Sequence, residues 1–211
     1  MKNRRKIKII ITSSGIGSKD FKKKFAELIG RDISELKMLH DTTAIDGEPV
    51  ESDKSWAEEE FQNILRAGFK LENITEHKID QENEDLSGYD VVYVQGGNTF
   101  YLMKMMRKYH FDQSVKDALN GGVIYIGSSA GSMVLGDTIE TAFSYSSDSG
   151  NTYGVADFAG IGLVKGAIFP HVNQMEKKVE RDKKKFDKCY LLRDGGGVFF
   201  VDGQEVAFGA D

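Results

Sequence analysis

The apolar run Val123-Ile124-Tyr125-Ile126 passes directly into Gly127-Ser128-Ser129-Ala130-Gly131, and the apolar Met133-Val134-Leu135 follows. A buried strand that turns through G-x-S-x-G into a helix is the pattern of a nucleophile elbow. It constrains the fold, because a strand whose carboxyl end launches a helix is the building unit of an α/β layer. The turn is tight and holds its central serine in strained backbone. Only small residues two before and two after the serine avoid a clash, which accounts for Gly127 and Gly131. The strain lifts the hydroxyl off the sheet edge, and the helix N-terminus aims N–H groups at the same place.

The rest of the chain repeats the alternation. Ile7 to Thr12 reads as a buried strand ending in Ser13-Ser14-Gly15-Ile16-Gly17, and the G-x-G there reads as a turn because the third glycine of a dinucleotide fingerprint is missing. Phe21, Phe25, Leu28 and Ile29 recur at helical spacing. Leu36 to His40 reads as a second strand, Asp41 to Lys54 as a polar loop, and Trp56, Phe61, Ile64 and Leu65 as a helix ending near Gly68. Another strand is expected within Phe69 to Ile79, then Asp90 to Val94, with helices from Thr99 to about Tyr109 and on to Leu119. Ile161 to Phe169 reads as a strand and Glu176 to Lys188 as a charged helix. Gly197–Val201 and Gln204–Phe208 flank Asp202-Gly203, a hairpin signal. Alternating strands and helices predict a doubly wound, mostly parallel, flavodoxin-like α/β sheet closed by a C-terminal β-hairpin. At 211 residues, without repeat, linker or low-complexity segment, residues 1–211 are expected to form one domain.

Composition removes several function classes. The formal net charge is −5, so no global basic field would recruit nucleic acid. Cys189 is the one cysteine, which excludes an internal disulfide and suits a reducing, cytoplasmic location. The basic start, Met1 to Lys6, precedes only Ile9-Ile10-Ile11, too short for a signal-peptide core, and no apolar segment is long enough for a membrane span. His40, His77, His110 and His171 are scattered, with no CxxC or HExxH, so neither a metal nor another cofactor is expected.

In doubly wound sheets function collects at the carboxyl ends of strands. Besides the elbow, two strands here end in unusual residues. Gln95-Gly96-Gly97-Asn98 leaves bare backbone whose N–H groups could approach a substrate, although a plain glycine turn capped by Asn98 or Thr99 would look the same. Phe169-Pro170-His171 sets a histidine where a loop meets the sheet, and beside Ser129 it becomes the natural general base. Val94 to Phe100, Gly127 to Gly131, and Gly162-Leu163 through His171 occur in the order and spacing of peptidase E. The chain thus resembles the peptidase E family of serine peptidases (family S51), which includes aspartyl dipeptidases and, more distantly, cyanophycinases. That family's fold is similar to class I glutamine amidotransferases.

The resemblance implies Ser129 as nucleophile, His171 as base, and an oxyanion hole from the N–H groups of Gly97 and Ala130, with Gly96 and Asn98 beside the substrate. The family's dipeptidases carry a triad aspartate between the elbow and the histidine strand. Counting along reaches Ser144, and a short insertion would bring Asp148 there; Asp157, Glu140 or a Ser–His dyad are the alternatives. Aspartyl specificity in the family rests on an arginine after the histidine, for which Arg181 is the candidate, although Lys177 to Lys188 also reads as a solvated helix face. The expected function is hydrolysis of short peptides, dipeptidase-like and without cofactor, with acidic N-terminal residues among the candidate substrates. An esterase on the same machinery, or a degenerate small-ligand binder, are the other readings. No nucleic-acid or membrane partner is expected, and assembly is left open, a homodimer included.

Overall fold

The computed structural model describes residues 7–145 and 151–209. In chain order its main elements are β1 (Ile7–Thr12), α1 (Lys19–Ile29), β2 (Met38–Asp41), α2 (Thr43–Asp46), α3 (Ser55–Ala67), β3 (Ile74–His77), β4 (Val91–Val94), α4 (Thr99–Lys108), α5 (Phe111–Gly121), β5 (Ile124–Ser128), α6 (Ala130–Met133), β6 (Ala167–Phe169), α7 (Val172–Asp182), β7 (Cys189–Leu191), β8 (Gly197–Val201) and β9 (Gln204–Phe208). Seven strands form one sheet in the order β3-β2-β4-β5-β1-β8-β9. β3, β2, β4, β5 and β1 run parallel, while β8 and β9 are antiparallel to their neighbours.

Strand alternation divides the apolar residues between two faces. Ile10, Val91, Tyr93, Ile124 and Ile126 pack with Phe21 and Phe25 of α1 and Ile64 of α3. Ile9, Ile11, Val92, Val94 and Tyr125 pack with Leu102, Met103 and Met106 of α4 and Val115 and Leu119 of α5. A fully buried apolar side chain of this size stabilises by about 1.5–3 kcal/mol relative to exposure. Caps fix the helix ends: Ser18 and Asn98 accept from the N–H of Phe21 and Tyr101, and α1 and α3 stop at Gly30 and Gly68 in left-handed backbone. The hairpin turn has positive φ at both Asp202 and Gly203, the geometry that matches strand twist.

Three expectations need correction. The polar segment Asp41 to Lys54 contains a short helix, α2, anchored by Asp41, which accepts from both the N–H and the hydroxyl of Thr43. Of Ile161 to Phe169 only Ala167–Phe169 is a strand; the earlier part hydrogen-bonds to the turn at Val134 to Gly136. That strand lies outside the main sheet, paired in parallel with β7, which sequence reading missed. The charged helix starts at Val172 and ends at Asp182. Among the described residues no helix is long and apolar enough to cross a membrane.

Candidate active site

Ser129, between β5 and α6, has φ 47° and ψ −108°, outside the ordinary regions for an L-residue. Such backbone persists only where its surroundings over-determine it. Here the Ser129 N–H donates to the Thr12 carbonyl at 3.1 Å, and the N–H groups of Ser132 and Met133 donate to the Ser129 carbonyl at 2.9 Å. The Ser132 hydroxyl bridges the carbonyls of Thr12 and Gly127, each at 2.8 Å. The flanking glycines are required by space. A Cβ on Gly127 would strike the Gly131 carbonyl, and one on Gly131 would strike the Val94 carbonyl of the next strand. Ser128, by contrast, is fully buried.

His171 lies just past β6, in left-handed backbone at φ 53°, with its N–H held by the Ser13 hydroxyl at 2.7 Å. Its Nε2 is 2.9 Å from Ser129 Oγ, and its Nδ1 is 2.6 Å from Asp194 Oδ1. Asp194 also accepts from the Ser13 hydroxyl at 2.8 Å, from Gln174 at 2.6 Å and from Asn173 at 3.0 Å. Burial pushes its carboxyl up, but the bonds from Gln174 and Ser13, the His171 charge and the Asn173 bond outweigh that and hold it below its usual range. An ionised carboxylate only accepts, so Nδ1 carries a proton, and in the neutral imidazole Nε2 is then the nitrogen that accepts from the Ser129 hydroxyl.

Strand pairing explains why Asp194 reaches His171. In the β6–β7 ladder Phe169 is opposite Leu191, so the chains leaving both strands emerge side by side. The signal for Asp194 in the sequence is weak. Asp194-Gly195 reads as a turn, and its proximity depends on β7, a three-residue strand.

The acid expected at Asp148 lies outside the described residues, and Asp194 occupies the Nδ1 side of His171. Asp157 pairs instead with Arg107 at 3.2 Å, and Glu140 is exposed at the start of a 3-10 turn. Arg181 turns its guanidinium to Asp182 at 2.9 Å and is absent from the residues lining the cavities at Ser129.

Gly97 has φ +138°, and a Cβ there would sit 2.5 Å from the backbone of Ala44 in α2. Only glycine fits between α2 and the elbow. The Asn98 N–H donates to the Ala44 carbonyl at 2.9 Å, which ties this loop to α2. The N–H groups of Gly97 and Ala130 have no acceptor among the described residues. Gly96 packs on Ser129: a Cβ there would lie 3.1 Å from the serine Cβ. Two cavities meet at Glu48, Gly97, Ser129 and His171. One, about 430 Å³, runs past Asn98, Phe100, Met133, Tyr145 and Tyr153. The other, about 510 Å³, runs past Trp56, Glu59, Glu60, Asn63 and Gly96.

The family model described as peptidase family S51 matches residues 11–208. The chain belongs to peptidase family S51. Among its S51 relatives, peptidase E of Actinobacillus pleuropneumoniae serotype 7 (strain AP76) is 33% identical over 110 residues, 52% of this chain and 44% of the relative. An uncharacterized peptidase of Listeria innocua serovar 6a is 28% identical over 140 residues, 64% of this chain and 66% of the relative. The match thus spans under half the length of the first of these curated relatives. The S51 chain also shares its fold with a solved structure from Listeria monocytogenes EGD-e, at TM-score 0.75 and 20% identity over 97% of this chain and 98% of that one. A solved peptidase from an acI-B1 Actinobacterium gives TM-score 0.64 at 17% identity, covering 97% and 95%.

Proposed function

We propose that this chain is a serine peptidase that hydrolyses short peptides, with Ser129 as nucleophile, His171 as general base and acid, and Asp194 as the carboxylate that orients His171. The observation that carries the reading is the unbroken line from Ser129 Oγ through His171 Nε2 and Nδ1 to Asp194, with its 2.9 Å and 2.6 Å spacings. In this reading Ser129 Oγ attacks the scissile carbonyl as its proton passes to Nε2. The oxyanion takes the N–H groups of Gly97 and Ala130, one from the glycine loop and one from the first residue of α6. The imidazolium formed is stabilised by Asp194 and gives its proton to the leaving amine. Water then repeats the sequence on the acyl-enzyme, with His171 again taking the proton. The elbow strain supports the same reading, because it sets the hydroxyl before substrate arrives. A fluorophosphonate should label wild type at Ser129 and leave Ser129→Ala unlabelled, while a dipeptide library read by mass spectrometry should show cleavage that this variant lacks. Label on another residue, or cleavage surviving Ser129→Ala, overturns the assignment.

A further inference from the structure

Trp56, Glu59, Glu60 and Asn63 lie on one face of α3, and that face forms a wall of the 510 Å³ cavity beside Ser129 and His171. Glu48 enters the same cavity from the segment after α2. We propose that this cavity is the subsite for a cationic group of the substrate, either the peptide's α-ammonium or the ammonium or guanidinium of a basic side chain. The inference rests on the hydrolase reading above for the word substrate, and on the cavity itself for its chemistry.

Three carboxylates line the cavity and no lysine or arginine does. No ion pair among the described residues includes Glu48, Glu59 or Glu60. Lys54, near Glu48, gives its ammonium to the Glu48 backbone carbonyl at 3.4 Å. Glu60 is only 7% exposed, yet it borders the cavity. The Tyr93 hydroxyl donates to one of its oxygens at 2.6 Å, and Ser128 is the other hydroxyl beside it, so its neighbours are neutral. Burial raises its carboxyl to about 7 despite the Tyr93 bond. A charge so poorly solvated gains most from an arriving cation, which also draws it toward the ionised form. Trp56 adds an indole, the aromatic ring that attracts cations best. A substrate aspartate would face like charge here, and Arg181 is engaged elsewhere, with Asp182.

Trp56 is the chain's one tryptophan, so its emission reports this cavity alone. Four amides form the test: lysinamide, norleucinamide, Nα-acetyl-lysinamide and Nα-acetyl-norleucinamide, each titrated by Trp56 fluorescence and by calorimetry. Binding should be tightest for lysinamide and at least about tenfold weaker for the uncharged acetyl-norleucinamide, as loss of a charge-assisted contact implies. Whichever singly charged amide keeps its affinity identifies the source of the cation. Glu48→Gln/Glu59→Gln should compress the spread among the four. If the four bind alike, if the double variant leaves the spread intact, or if aspartyl amide binds more tightly than lysinamide, the proposal is overturned. Fluorophosphonate labelling on the same samples separates the two readings. Label on Ser129 with a flat amide series sinks the cation subsite alone; no label with a graded series sinks the hydrolase reading and leaves the subsite standing.

Discussion

At the scale of single residues, Ser128 and Ser129 are adjacent hydroxyls with opposite fates. Ser129 Oγ meets His171, while Ser128 is fully buried beside Glu60. Ser129→Ala should abolish turnover, whereas Ser128→Ala should keep most of it, measured as kcat/KM on one dipeptide. Asp194→Asn should lower kcat by on the order of a thousandfold or more, because an amide can donate to Nδ1 and select the wrong imidazole tautomer. If the proposed machinery is a dyad, Asp194→Asn will barely change kcat, and that outcome removes Asp194 from the mechanism. Ser129 and His171 were legible because each sits in a local signature, a strand end with its own turn chemistry. Asp194 was not. It comes to His171 through a parallel pairing of two three-residue strands, and so short a pairing leaves no periodicity in the sequence. The resemblance points instead to the segment between elbow and histidine, which Asp194 lies beyond.

Among the elements, long periodic ones were read well and short ones poorly. β1, β8 and β9 fall on the predicted residues because their apolar runs and the Asp202-Gly203 turn are strong local signals. α2, four residues long, reads as loop in the sequence because a single helical turn shows no repeat. β6 and β7 nevertheless carry two members of the proposed machinery. Ile168, at the middle of β6, is fully buried against the main core. Ile168→Ala should destabilise by about 2–5 kcal/mol in urea unfolding, the usual range for such a truncation. If the β6–β7 ladder sets the spacing of His171 and Asp194, kcat of the folded variant should fall with KM changed little. A variant that loses stability but keeps full kcat would show that the loops hold the pair unaided.

Across the whole molecule, two buried sites make stability depend on pH in the same direction. His77 Nδ1 is 2.8 Å from Asp41, and its other ring nitrogen faces Glu84. Burial opposes its charge, but the Asp41 bond and the charges of Asp41 and Glu84 prevail, and its pKa is raised. Glu60, raised to about 7 by burial, likewise binds its proton more tightly when folded. Groups with raised folded pKa stabilise fully below their unfolded values and lose that stabilisation as pH climbs through the folded ones. The midpoint of thermal unfolding should therefore fall between about pH 5 and pH 8. His77→Gln and Glu60→Gln should each flatten part of that slope, and a slope unchanged in both would refute the coupling. His77 carries no local signal in the sequence, because Asp41 meets it only through the β2–β3 pairing and Glu84 comes from the segment after β3.

The central position of β1 also bears on synthesis. β1 is made before either of its hydrogen-bond partners, β5 and β8, whose residues come more than a hundred positions later. Thr12 and Ser13, at its end, brace the elbow and His171. On the ribosome the nucleophile turn would therefore emerge while the strand that fixes it has one of its two flanks still unmade, and before Asp194 exists. A nascent chain would carry Ser129 before the proposed triad could form, because His171 and Asp194 both follow it in the chain.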